Sequence, residues 1–168
     1  MEFIAEHRKS IFIGQAVGCP GTAMSDTLKD ISKEKLMELP VAEEFQLGMA
    51  IGMALDGWLP VCIYPRWNFL LLAVNQLVNH LDKISEISDY EFNPQLIIRT
   101  SIGSERPLFP QKQHIGDFSN AFKSILNNIE IITLEESKDI FPAYKKALKR
   151  EDNKSTLIVE YGDFYNEK

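Results

Sequence analysis

Apolar residues along this chain fall into two rhythms, short unbroken runs and longer stretches with helical spacing. The unbroken runs are Ile11-Phe12-Ile13, Pro60-Val61-Cys62-Ile63-Tyr64, Gln95-Leu96-Ile97-Ile98-Arg99, residues 130–133 and residues 156–160. β-branched and aromatic residues fill them, and each has the length of a strand. Helical spacing is predicted over about 25–35, 42–56, 68–87, 118–126 and 138–150. Ser25 or Asp26 is the expected cap of the first helix, and Gly57 the stop of the second. Leu71, Val74, Leu77, Val78, Leu81 and Ile84 mark the third. Strands apolar throughout, alternating with helices, predict an α/β fold: three layers, with a mainly parallel sheet covered by helices on both faces. There are no repeats, low-complexity tracts or dividing linkers, so a single domain over 1–168 is expected.

The segment from Leu39 to Gly52 carries the chemistry that stands out. Glu43 falls in the first turn of a helix that is apolar nearly all round, and such a helix is expected to be buried. A carboxylate there either meets the helix dipole, worth less than about 1 kcal/mol, or has a specific partner, because unpaired buried charge is costly. Gly48 and Gly52 lie one turn apart and would let another element approach the helix backbone closely. Gly14, Gln15, Glu43, Trp67, Phe69, Gly103 and His114 all follow strands or open helices. Ligands of parallel sheets bind at the carboxyl ends of the strands, so these residues are candidates for one site. Residues 101–113, with a glycine and two prolines, read as a long functional loop.

Composition narrows the options. A hydrophobic fraction of 45% and a charged fraction of 25% are those of a globular domain. The net charge of −6 argues against nucleic acid as a partner. Lys145, Lys146, Lys149 and Arg150 read as the solvated end of a helix. Cys19 and Cys62 lack metal-like spacing, and His7, His80 and His114 are scattered, so no metal site is expected. The glycine-rich stretch from Gly14 to Thr22 lacks the lysine and spacing of a phosphate loop and reads as a turn. Acidic residues near Met1 do not suit a signal peptide, and no apolar run reaches the ~20 residues of a membrane span. A cytoplasmic protein without membrane contact is expected.

Taken in order, Pro40-Val41-Ala42-Glu43, Gly48, Gly52, Gly57-Trp58-Leu59-Pro60, Asn68-Phe69 and Gln76-Leu77-Val78-Asn79 resemble the pyrimidine-binding module of transketolase-superfamily thiamine-diphosphate enzymes. The nearest likeness is to beta subunits of 2-oxo-acid dehydrogenases. Arg99-Thr100-Ser101-Ile102-Gly103 and Gln113-His114 are similar to that family's strand exit and active-site histidine. The likeness runs from about Ile11 to Tyr161.

The resemblance implies thiamine diphosphate as cofactor, with its pyrimidine end in this chain. It implies that Glu43 hydrogen-bonds a pyrimidine ring nitrogen and favours the imino tautomer, that Phe69 stacks on the ring, and that His114 reaches the reacting carbons. Trp67 would shape the pocket. Gln15 stands where the family often has an acidic pair, and any contact made there is in doubt.

The family's G-D-G segment and asparagine pair, which hold the diphosphate through Mg2+, are not matched here. An alpha-type partner subunit carrying them is therefore implied, in an α2β2 assembly acting on a small carbonyl substrate. The family's C-terminal assembly domain is also unmatched, which favours transfer to a small acceptor over a lipoyl carrier. Two alternatives remain: the small subunit of a two-subunit 2-oxo-acid decarboxylase, and a non-catalytic subunit that retains the fold.

Overall fold

The computed structural model describes residues 1–20, 22–105 and 109–166, so part of the predicted 101–113 loop lies outside the described residues. Six strands form one parallel sheet: β1 (Ser10–Gly14), β2 (Leu36–Glu38), β3 (Leu59–Tyr64), β4 (Ile97–Ile102), β5 (Glu130–Thr133) and β6 (Thr156–Tyr161). Their order is β2-β1-β3-β4-β6-β5. Every pairing is parallel, for example Ile13 beside Cys62 and Ile98 beside Leu157. The described helices are α1 (Glu2–Ala5), α2 (Ala23–Asp26), α3 (Glu43–Leu55), α4 (Trp67–Leu70), α5 (Ile84–Ile87), α6 (Ser119–Ile125) and α7 (Ser137–Leu148).

Because the four inner strands are buried on both sides, their residues divide between two cores. Ile13, Cys62, Tyr64, Ile98, Leu157 and Val159 pack under α3, the helical stretch after β3, and α6. Phe12, Val61, Ile63, Ile97 and Ile158 pack under Ile4 of α1, Met24 of α2, and Ala143, Tyr144 and Ala147 of α7. The chain leaves β1 for β2 on one side and crosses back to β3 on the other. That reversal opens a crevice outside the carboxyl ends of β1 and β3, where ligands of such sheets bind.

Two predicted helices differ from expectation. The helix expected over 25–35 is one turn, α2, and its cap is Thr22 rather than Ser25 or Asp26. The Thr22 hydroxyl accepts from the Ser25 amide at 3.0 Å, and the Ser25 hydroxyl accepts from the Thr22 amide at 3.1 Å. The Thr27 hydroxyl then bonds the Met24 carbonyl at 2.7 Å, a local bond that competes with helix continuation. The chain must also be extended by Leu36 to pair with Phe12 at the sheet edge.

The helix expected over 68–87 is a succession of turns. α4 is followed by a 3-10 turn (Leu71–Ala73), a π-helical stretch (Gln76–Leu81) and α5. Its buried positions, Trp67, Leu70, Ala73, Leu77 and Leu81, are spaced three, three, four and four apart. A spacing of three suits the tighter 3-10 turn.

Candidate functional site

α3 starts where β2 ends and the Leu39 amide donates to the Gly14 carbonyl at 2.8 Å. Ala42 at the N-cap offers no side-chain cap, so the first turn carries only the acids Glu43 and Glu44. Glu44 is exposed, whereas Glu43 is 3% exposed and points with Leu47, Ala50 and Ala54 toward the sheet. The Tyr64 hydroxyl donates to the Glu43 carbonyl at 2.9 Å, linking α3 to the end of β3. The Glu43 carboxylate itself has no hydrogen-bond or ion-pair partner among the described residues. The carboxylate oxygens are not among the buried unpartnered atoms, so they keep access to the sheet edge, where a ligand could meet them.

The ground beneath Glu43 is built to fit closely. Gln46, one turn on and fully buried, donates through Nε2 to the Ile63 carbonyl at 2.8 Å, and its Oε1 has no partner. Gly14 has a φ of +155°, and a Cβ there would fall 2.4 Å from the Ile63 carbonyl oxygen and 3.1 Å from Gln46 Nε2. Only glycine lets β1, β3 and α3 meet at this point. Burial pushes the Cys62 thiol up to about 12, so it remains a neutral core group.

The loops after β3 and β4 bring two predicted site residues together. Phe69 and His114 are both half-buried, with ring centroids 5.6 Å apart and planes inclined by 50°. His114 Nδ1 is buried without a partner. Trp67 has a packing position. It is fully buried, with its ring 4.9 Å from Phe122 and edge-on to Phe118, so it supports the loop from beneath rather than lining an open crevice. Gln15 is half-buried directly after β1.

Two residues were not singled out in the sequence. Arg66 donates through Nη1 to the carbonyls of Gly103 at 2.7 Å, His114 at 2.9 Å and Ser104 at 3.4 Å. It thereby ties the exit of β4 to the loop bearing His114. Burial lowers its proton affinity, and Asp163 opposes that shift. A basic residue directly before Trp67-Asn68-Phe69 was the available signal. Glu38, at the end of β2, accepts from the amides of Ala16, Val17 and Gly18 at 2.7, 2.9 and 2.7 Å. The glycine-rich loop after β1 is thus a turn latched by the protein's own carboxylate, consistent with the turn reading.

α3 departs from the expectation of all-round burial. Val41, Phe45, Gly48, Gly52 and Leu55 form an outward stripe, with Val41 at 78% and Phe45 at 55% exposure. A Cβ on either glycine would meet nothing within 4 Å, so no element among the described residues makes the predicted close approach. A cavity of about 600 Å3, lined by Thr27, Arg99, Ile140 and Glu160, lies on the opposite face of the sheet from Glu43.

A six-stranded parallel sheet with helices on both faces defines an α/β domain. Its architecture is that of the transketolase-type thiamine-diphosphate enzymes. A solved structure titled split gene transketolase, inactive beta4 tetramer, superposes with a TM-score of 0.72 at 18% identity, over 96% of this chain and 48% of that one. In sequence the chain is similar to the pyruvate dehydrogenase E1 component subunit beta of Cyanidium caldarium, 29% identical over 158 residues, 92% of this chain and 46% of that protein. Its counterpart in Chaetosphaeridium globosum is 33% identical over 134 residues, 79% of this chain and 39% of its own length. The chain spans less than half the length of these relatives. No protein-family model matches it. Among the described residues no group of His, Cys, Asp or Glu is arranged to hold a metal ion, and no helix is long and apolar enough to cross a membrane.

Proposed function

We propose that this chain is the pyrimidine-binding, beta-type subunit of a two-chain thiamine-diphosphate enzyme that makes or breaks a carbon–carbon bond next to a carbonyl. The observation that carries the reading is Glu43, a residue 3% exposed whose carboxylate has no partner among the described residues, in a chain similar to E1 beta subunits. Thiamine diphosphate, when bound, supplies a thiazolium carbon able to act as a carbanion toward a carbonyl.

This chain would hold the pyrimidine end. Glu43 shares a proton with a ring nitrogen, which suits a carboxyl group in a water-poor site. Phe69 offers the aromatic face for stacking. His114, with one ring nitrogen unsatisfied, can donate to a developing oxygen charge or move a proton there. Arg66 keeps the His114 loop in place through its carbonyl contacts.

The Mg2+ and diphosphate sites fall to an alpha-type partner subunit in this reading, since the G-D-G segment and asparagine pair that would hold them are not matched in this sequence. The outward stripe on α3 supports assembly, because contiguous exposed apolar surface of this kind marks an interface. An α2β2 assembly places the site between chains.

The test is Glu43→Gln in the complex with its partner. Assembly should persist, measured by sedimentation, while turnover falls at least about a hundredfold, the usual weight of a proton-transfer group. Full turnover in the variant would sink the proposal.

A further inference from the structure

Arg66 makes no ion pair among the described residues. Among the described residues, the other two arginines that are buried or half-buried are both matched by carboxylates: Arg99 by Glu160, and Arg150 by Glu130 and Asp152. Asp163 acts on Arg66 only at longer range, and its Oδ1 accepts the Glu105 amide at 2.9 Å. A half-buried cation with no carboxylate in direct contact is costly, and this one, with only the charge of Asp163 acting on it, stands at the carboxyl edge of β3, three residues before Phe69.

Its hydrogen bonds are one-sided. All three run from Nη1 to backbone carbonyls. Nε and Nη2 have no hydrogen-bond partner among the described residues. Those two nitrogens form the side-on fork of a guanidinium, whose parallel N–H groups match two oxygens of a carboxylate or phosphate. The carbonyls of Gly103 and His114 fix the plane of the group, so the fork is ordered before any ligand arrives, which lowers the cost of binding.

We propose that Arg66 is the anion anchor of the site, holding the carboxylate or phosphate of a small carbonyl substrate. This rests on the thiamine-diphosphate reading and narrows it to negatively charged substrates. His114 gives its own carbonyl to Arg66 and its ring packs on Phe69, so the guanidinium is tied to the loop that carries that ring pair.

The experiment compares Arg66→Gln and Arg66→Lys with the unaltered protein in the full complex, using pyruvate, a ketose phosphate and the neutral ketone dihydroxyacetone. A charge-assisted pair of hydrogen bonds implies a rise in KM of roughly ten- to a hundredfold for the charged substrate with Arg66→Gln. Dihydroxyacetone should change less than about threefold, and Arg66→Lys should recover part of the loss, as a point charge does. A larger effect on pyruvate assigns a carboxylate, and a larger effect on the ketose phosphate assigns a phosphate.

A second measurement is independent of turnover. In the full chain without coenzyme, the 15N-labelled Arg66 Nε–H resonance should shift on adding pyruvate or inorganic phosphate, and stay in place with dihydroxyacetone. Equal losses on charged and neutral substrates, with no resonance shift, overturn the anchor and leave the Glu43 reading intact. Unchanged turnover in Glu43→Gln overturns that reading instead, and the resonance then still decides whether Arg66 binds anions.

Discussion

At the scale of single residues, polar side chains in this protein are either closely matched or conspicuously unmatched. Glu160 is matched. Arg99 donates to it through Nε and Nη2 at 2.8–3.1 Å, and the hydroxyls of Tyr144 and Tyr165 donate to it as well. Burial by itself pushes the Glu160 carboxyl upward, but the Arg99 charge and these hydrogen bonds overcome that and hold it below the usual carboxylate range. Its stabilising contribution is therefore complete above the ordinary glutamate value of about 4.3. It fades as pH falls through the lower native value. Glu160→Gln leaves Arg99 buried without its counter-charge and should cost about 3–5 kcal/mol in urea unfolding at pH 7. The gap to the unaltered protein should narrow in strong acid. A gap of the same size at every pH would contradict this account.

Gly14 belongs to the same scale. Alanine there would press its methyl against the Ile63 carbonyl and Gln46. Gly14→Ala should lower stability by roughly 1–3 kcal/mol, measured by thermal unfolding. A neutral result would mean that the β1–β3 junction is more yielding than its geometry implies.

At the scale of elements, strand positions were legible and helix continuity was not. β4 overlaps the predicted run because consecutive apolar residues can be buried on both faces of an inner strand. The stretch after β3 carries helical spacing, yet it breaks into 3-10 and π turns. Its buried residues must follow the sheet and α3 rather than an ideal cylinder. β2 escaped attention because Leu36-Met37-Glu38 is short and lies at the sheet edge. That edge strand has a function of its own, since Glu38 latches the loop after β1. In Glu38→Gln the amides of Ala16, Val17 and Gly18 should lose hydrogen-exchange protection while those of β3 and β4 keep theirs. Unchanged protection at all three amides would show that the loop holds its shape without the carboxylate.

At the scale of the whole molecule, α3 joins the proposed chemistry to assembly. Its inner face presents Glu43 to the crevice and its outer face leaves Phe45 and two glycines uncovered. Phe45→Glu, on that outer face, should leave the unfolding transition of the chain within about 0.5 kcal/mol while weakening association, as read by sedimentation. Association unaffected by this charge would place the interface elsewhere.

What the amino-acid order determined alone was the alternation of strands and helices, the parallel sheet, and the place of a glutamate in the first turn of an apolar helix. Hydrophobic period is local, and it reports how each element is buried. The folded molecule decided which polar groups meet. It chose Glu38 for the loop amides, Glu160 for Arg99, and three carbonyls for one nitrogen of Arg66, across separations of 20 to 61 residues. Such pairings depend on how distant elements stack, and a one-dimensional pattern carries no record of that geometry.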